Sequence, residues 1–327
     1  MKIGICEAAP QGACSYYRSI GPMSKMHKID KNLDIIILDK ITWNTLSMVD
    51  MLFLARPDSK SFIDMIEMAK NLSIPVWIDW DDNIFNITPD NPAYKNYSRK
   101  DLQESVLKCV EMADVVTVST TELYKFYSQK NKNVFVVENA FNDYNYRLNP
   151  LSTPFKSIFW RGSNTHRNDL LSVSKDIFAA NKMVDWSWVF VGGDPWYITD
   201  KINRVFYLQE VDIITYYRFL TDNRSAITMV PLVVNDFNVA KSNIGWIEGT
   251  SAGSAVIAPE GLPEFDKPGV IKYNPEKEGH FQYLLEKMMK SNEFRTQNYK
   301  KSLGYIQDNL LLSKINQKRI NIIEGII

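Results

Sequence analysis

An alternation governs this chain. Short apolar runs rich in β-branched residues recur at Lys2–Cys6, Leu33–Leu38, Val49–Ala55, Val76–Trp80, in Asp114-Val-Val-Thr-Val-Ser, and in Asn133-Val-Phe-Val-Val. Between them lie segments with helical spacing, such as Phe62, Ile63, Met65, Ile66, Met68 and Ala69. Strands separated by helices build a parallel sheet, because parallel neighbours need a long crossover and the crossovers fold back on the sheet as helices. A polar, Pro-containing stretch from Asn142 to Pro154 then interrupts the pattern and reads as a domain boundary. The alternation resumes at Ser157-Ile-Phe-Trp, Trp188-Val-Phe-Val, Val205–Leu208, Ile227–Val234 and Ala255–Ala258. The fold class is therefore α/β, with two Rossmann-like doubly wound domains expected at 1–150 and from 151 onward.

Ligands of such sheets sit beyond the carboxyl ends of the strands, where helix N-termini present unpaired N–H groups to anions. Three stretches have the right chemistry there. After the run ending at Val234, a helix is expected from about Ser242 to Ala252, with Gly253 as its stop. Lys241, Ser242 and Asn243 stand at its start, and Glu248 follows about two turns on, at roughly 3.6 residues per turn. A cation and a carboxylate on one face suit a ligand with a phosphate and a diol, although the same helix read alone would have Glu248 as a solvated surface charge. After Trp160, the loop Arg161-Gly-Ser-Asn-Thr-His-Arg-Asn-Asp-Leu opens another helix. Gly162 permits close backbone approach and Arg161 offers a bidentate fork, a combination suited to a diphosphate. The alternatives are an ion pair across the loop for Arg161 and a local hydrogen bond for His166. The third stretch is the loop after Lys2–Cys6, which contains Gly12 and opens a helix near Ser15 carrying Tyr17 and Arg18; it lacks the spacing of a dinucleotide fingerprint or a P-loop. At the end of Val76–Trp80, Asp79, Asp81 and Asp82 gather three carboxylates.

Taken together these segments resemble family 4 glycosyltransferases, which have the GT-B architecture and use nucleotide sugars. The resemblance lies in Glu248 with the small-residue turn Ala252-Gly-Ser-Ala-Val-Ile-Ala258, in Tyr17-Arg18-Ser-Ile-Gly-Pro22, in Asp79-Trp-Asp-Asp, in Ala113-Asp-Val-Val-Thr-Val-Ser, and in Asn133-Val-Phe-Val-Val-Glu-Asn139. It implies a cleft between the domains and a C-terminal helix, 306–327, that crosses back to the first domain, leaving 151–305 as the nucleotide-sugar domain. It implies a diphosphate-binding role for Arg161, with His166 or Arg167 as further candidates, and a role for Asp81 toward the acceptor; fixed positive charge at Arg161 and Lys241 is expected to neutralise the leaving diphosphate in catalysis. Donor contacts would fall to Gly162, His166, Ser242, Asn243 and Glu248, the last holding the ribose, with the base near Leu208. Acceptor contacts would fall to Gly12, Tyr17, Arg18 and Asp82. The donor would be a UDP- or GDP-sugar, with no metal or other cofactor and with retention of anomeric configuration. Asp79 and Asp81 are also similar to the Asp-x-Asp metal motif of GT-A enzymes, since hard carboxylate oxygens suit divalent ions. One departure stands out: the family often has a second Glu eight residues before Glu248, and this chain has Ala240.

Charge and cysteine content narrow the partners. Lys plus Arg equals Asp plus Glu, 38 against 38, so no global field draws the chain to DNA, and a phage-type DNA-base acceptor is the less favoured reading beside a surface or lipid-linked glycan. The same scaffold also suits a non-catalytic nucleotide-sugar-binding subunit, an epimerase or a phosphatase. Cys6, Cys14 and Cys109 form neither a disulfide framework nor a zinc pattern, and no uncharged run is long enough to span a bilayer, so a cytoplasmic protein is expected.

Overall fold

The computed structural model describes residues 1–7, 12–148, 155–183 and 185–326. Two six-stranded sheets, parallel throughout, form its frame. The first contains β1 (Lys2–Cys6), β2 (Asp34–Ile37), β3 (Met51–Ala55), β4 (Val76–Trp80), β5 (Val115–Val118) and β6 (Val134–Val136), in the order β2-β1-β3-β4-β5-β6. The second contains β7 (Phe155–Gly162), β8 (Ser187–Gly192), β9 (Val205–Gln209), β10 (Ser225–Met229), β11 (Ala255–Pro259) and β12 (Ile271–Tyr273), in the order β12-β11-β10-β7-β8-β9.

Both orders reverse direction once. The first sheet grows outward on either side of the β1–β3 pair, where Ile3 faces Met51 and Cys6 faces Leu54. The second grows on either side of β7 and β10, with Ile227 beside Ile158. At such reversals the connections leave toward opposite faces and open a crevice. The loops after β1, β3, β4, β7 and β10 therefore converge on the interdomain cleft. Burial on both faces explains the continuous apolar runs: all five residues of β4, β10 and β11 are buried.

The C-terminal segment links the halves. The helical pattern from Glu293 to about Ile323 is divided into helices Asn292–Asn309 and Leu312–Glu324. The division falls where Phe141 N donates to Leu310 O and Leu312 N donates to Phe141 O, both at 2.8 Å, so backbone pairing with the interdomain connection replaces one helical turn. Beyond it, Ile320 and Ile323 pack with Ile3, Ile5, Phe53 and Trp77 of the first sheet, and Asn316 Nδ2 donates to Pro22 O at 2.8 Å.

Two expected elements are shorter than the pattern suggests. The strand expected through Val234 ends at Met229, because Val230 N makes the last ladder bond, to Ile257 O, and Pro231 has no N–H to continue it. The helix expected from Ser242 to Ala252 spans Ile244–Ser251, with Asn243 as N-cap, so Ser242 lies in the approach loop rather than at the helix start.

Candidate active site

At the second sheet's reversal, a cavity of about 220 Å³ opens between the domains. Its walls include Arg161, His166, Lys241 and Ser242 from the second domain and Cys14, Tyr17, Asp81, Asp82 and Asn139 from the first. The loops build it as follows. Arg161 and Gly162 end β7, and a Cβ on Gly162 would lie 2.6 Å from Trp160 Cζ2 and 3.1 Å from His166 Cβ, so this turn closes because the residue has no side chain. His166 follows in a short 3₁₀ turn, and its Nδ1 meets Asp169 Oδ2 at 2.8 Å. Asp169 is itself buried and fixed, since its Oδ1 accepts from Val233 N at 2.8 Å and Asn238 Nδ2 at 2.9 Å. Burial, with Lys241 and Arg161 adding to it against the pull of Asp169, lowers the His166 pKa below 6.5 and favours the neutral ring.

Lys241 leaves the 3₁₀ turn Asn238–Ala240 with its Nζ 4.5 Å from the Phe237 ring centroid and 3.7 Å from Asp82 Oδ1. The cation thus reaches across the cleft. Ser242 Oγ accepts from Asn139 Nδ2 at 2.8 Å and Thr120 Oγ1 donates to Ala240 O at 3.0 Å, so the loop before the Glu248 helix is anchored to the first domain.

Glu248 is not a solvated charge. It is 2% exposed; its Oε2 accepts from Arg161 Nε at 2.7 Å and from Tyr216 Oη at 3.0 Å, and its Oε1 from Tyr17 Oη at 2.5 Å. Tyr17 comes from the first domain and lies 2.8 Å, Oη to Oη, from Tyr217. Tyr146 stacks on Tyr217 with centroids 4.7 Å apart, and Leu208 packs against the same cluster. Burial, and then the Glu248 charge, push the Tyr17 and Tyr216 hydroxyls well above their ordinary range, so both stay protonated and act as donors to the carboxylate. Burial opposes the charge on Arg161, yet Glu248 outweighs it and the guanidinium is held firmly ionised.

This architecture has close counterparts among solved structures. Anabaena HepE in complex with UDP and glucose matches 99% of this chain and 100% of that one with a TM-score of 0.71 at 10% identity. Sucrose-phosphate synthase from Thermosynechococcus elongatus matches 99% and 98% with a TM-score of 0.63 at 11% identity. An alpha-glucosyltransferase in complex with UDP-glucose and DNA containing an abasic site matches 99% of each chain, with a TM-score of 0.63 at 13% identity. The fold is GT-B. No protein-family model and no curated protein matches the sequence.

Within this GT-B frame the sequence-derived residues divide into two groups. Arg161, Gly162, His166, Lys241, Ser242, Asp81, Asp82 and Tyr17 come together around the cavity, with Asn243 buried as the helix cap beside it. Arg18 does not join them. It is 2% exposed and points into the first domain, where Nε and Nη2 make a fork with Asp79 at 2.9 and 2.8 Å and Nη1 donates to Val137 O at 2.5 Å. An acceptor contact for Arg18 is therefore corrected to a structural ion pair. The same fork, with Thr117 Oγ1 donating to Asp79 Oδ2 at 2.6 Å, occupies both Asp79 oxygens and argues against Asp79 as a metal ligand. Gly12 serves as N-cap of the helix Ala13–Arg18, and its carbonyl accepts from Tyr16 N at 3.1 Å.

Asp81 and Asp82 are held by a residue that sequence reasoning missed. Arg56 Nη2 donates to Asp82 Oδ2 at 2.8 Å, and its Nε lies 3.0 Å from Asp81 Oδ1, off the hydrogen-bond direction. Arg56 adopts φ +50°, an uncommon backbone position for a side-chain-bearing residue. Burial disfavours the Asp82 charge, but Lys241 and then Arg56 outweigh it and lower its pKa, whereas burial raises that of Asp81. Asp82 is consequently the weaker proton acceptor. Nearby, Asp81 and burial raise the Cys14 thiol to about 12, which removes it as a nucleophile. Arg56 had a legible signal in its position at the end of a strand, and Asp169 in its i+3 spacing from His166; Tyr216 and Tyr217 had none.

Proposed function

We propose that this protein is a glycosyltransferase that moves a sugar from a nucleoside diphosphate sugar, UDP before GDP, to a hydroxyl of a glycan acceptor. The observation that supports it most is the meeting of Arg161 and Lys241 at one cavity on the reversal of the second sheet. The site lies where open α/β sheets bind ligands, and HepE, which shares the fold, was crystallised with UDP and glucose. In the reaction the bond between the anomeric carbon and the β-phosphate oxygen breaks while the acceptor oxygen bonds that carbon. The acceptor proton passes to the departing phosphate, on the same face for retention. Arg161 and Lys241 stabilise the charge that develops on the leaving group, a preorganised electrostatic role that needs no metal. Glu248 takes the ribose diol once the Tyr17 hydroxyl yields its place on Oε1. Ala240, buried where the resembling enzymes often have Glu, leaves sugar contacts to neighbouring side chains. The protein works in the cytosol, in keeping with three unpaired cysteines and, among the described residues, no helix long and apolar enough to cross a membrane.

Thermal unfolding with UDP and GDP tests the binding step, since a ligand of the folded state stabilises it by about 2.7 kcal/mol at 100-fold excess over Kd. UDP is expected to raise Tm for the wild type and to do so weakly for Arg161→Ala and Lys241→Ala. Turnover of UDP-sugars is expected to survive EDTA. No shift with any nucleoside diphosphate, or activity wholly dependent on added Mn²⁺, would remove this reading.

A further inference from the structure

Among the described residues four strands stand at sheet edges, and three of them are blunted. β6 and β12 have three residues each, β12 with Lys272 exposed at its centre, and β2 has four and starts with the exposed Asp34. Short edges and charged side chains discourage pairing with another chain. β9, Val205-Phe-Tyr-Leu-Gln209, differs: it has five residues, none of them charged and none proline.

Its outward side follows from the ladder. Trp188 N donates to Arg204 O at 2.9 Å, whereas Gly193 N donates to Gly162 O at 2.8 Å, so the even-numbered residues of β8 bond β9 and the odd-numbered ones bond β7. The matching alternation in a parallel ladder assigns Arg204, Phe206 and Leu208 to β8. The N–H and C=O groups of Val205, Tyr207 and Gln209 therefore point away from the sheet, and no described residue bonds them. Phe206, 50% exposed, stacks on Phe219 of the helix Ile213–Asp222 with ring centroids 5.7 Å apart, and Ile214 of that helix is 54% exposed. An unpaired backbone edge and an apolar surface thus lie side by side.

The order of residues along the strand indicates what covers it. A two-fold axis through Tyr207 makes an isologous contact, in which every pairing occurs twice or on the axis. Tyr207 then meets Tyr207, and Val205 meets Gln209, all through outward-facing backbone groups. Phe206 lies beside Leu208 of the second copy on the aromatic face, a close cross-strand pair with Cα atoms about 4.5 Å apart. One step beyond the strand at either end, Arg204 faces Glu210, both exposed, so opposite charges meet twice. The same operation on β2 would set Lys31 against Lys40. Equal numbers of basic and acidic residues, 38 and 38, leave two copies without net repulsion. We propose that a second copy of this chain pairs antiparallel with β9, extending the second sheet across a two-fold axis, with Arg204 and Glu210 fixing the register. This contact does not depend on the glycosyl-transfer reading. Five residues at about 3.4 Å each give an edge of about 17 Å, so the dimer is weak and depends on concentration.

The test is sedimentation velocity on the full chain from about 1 to 200 µM, the range of a weak contact. The wild type is expected to pass from monomer to dimer. Gln209→Pro removes one outward N–H from each copy, leaves the bonds to β8 in place, and is expected to weaken the dimer about tenfold. Arg204→Glu and Glu210→Arg, both at exposed positions, guard against misfolding of the proline variant. Each alone sets like charges together and should weaken self-association about tenfold. Mixed in equal amounts, the two charge variants should pair with the wild-type affinity, because each then faces its opposite. A wild type that stays monomeric throughout, a dimer unmoved by Gln209→Pro, or charge variants that fail to recover on mixing would overturn the proposal.

Discussion

The cleft rims of the two sheets hold similar charges and use them in opposite ways. On the first rim, Arg18 is spent on Asp79, and Arg56 on Asp81 and Asp82. On the second rim, Arg161 meets Glu248 through Nε and Lys241 stands 3.7 Å from Asp82 Oδ1, and both line the interdomain cavity, which neither Arg18 nor Arg56 does. Charges closed on themselves hold the scaffold; charges left facing the cavity await a ligand. On the reading proposed above, the second rim is the one that meets the diphosphate.

The sharpest way to break this comparison is to remove one cation from each rim. Arg18→Met leaves Asp79 buried without its partner and is expected to lower stability by about 3–5 kcal/mol in urea unfolding. Lys241→Met, which breaks a half-buried pair already 3.7 Å apart, is expected to cost less stability than Arg18→Met, yet to cut turnover of the sugar nucleotide about 10²- to 10³-fold. If both variants lost the same stability, the distinction between rims would fail.

A smaller effect is expected where the rims touch. Tyr17→Phe deletes the first-domain hydroxyl from Glu248 Oε1 and from Tyr217. Stability should drop by about 1–2 kcal/mol for the lost buried hydrogen bonds. UDP should nevertheless bind more tightly, severalfold in calorimetry, because the ribose no longer competes with a hydroxyl already in place. Weaker UDP binding in this variant would mean that Tyr17 contacts the nucleotide instead of standing in for it.

The sequence made the frame readable because burial on both faces turns each strand into a continuous apolar run, as in Val76–Trp80, and because Arg161 and Gly162 stand at the end of such a run. Reading stopped where the cause was three-dimensional. The burial of Glu248 depends on Tyr17, which lies 231 residues away in the chain, so helical periodicity could only place it on a face shared with Lys241. Arg18 looked available because its partner Asp79 lies 61 residues on, in a different strand. The strand overrun to Val234 has a local cause that was visible, Pro231, whose missing N–H marks the ladder's end more reliably than the valines mark its continuation.

The finest test of the second rim is its histidine. Burial keeps the His166 pKa below 6.5 in the folded state, whereas the unfolded chain titrates near about 6.5. As pH falls through that value the unfolded state takes up a proton first, so stability should decline down to the folded pKa and be unaffected above the unfolded one. His166→Gln should flatten this slope between the two values, in Tm measured against pH, while leaving the acid loss at lower pH that follows protonation of Asp82, whose pKa is depressed from 3.8. An unchanged slope between the two histidine values would show that a cation is tolerated at residue 166 beside Lys241 and Arg161. The second rim would then be able to take one more positive charge beside Arg161 and Lys241.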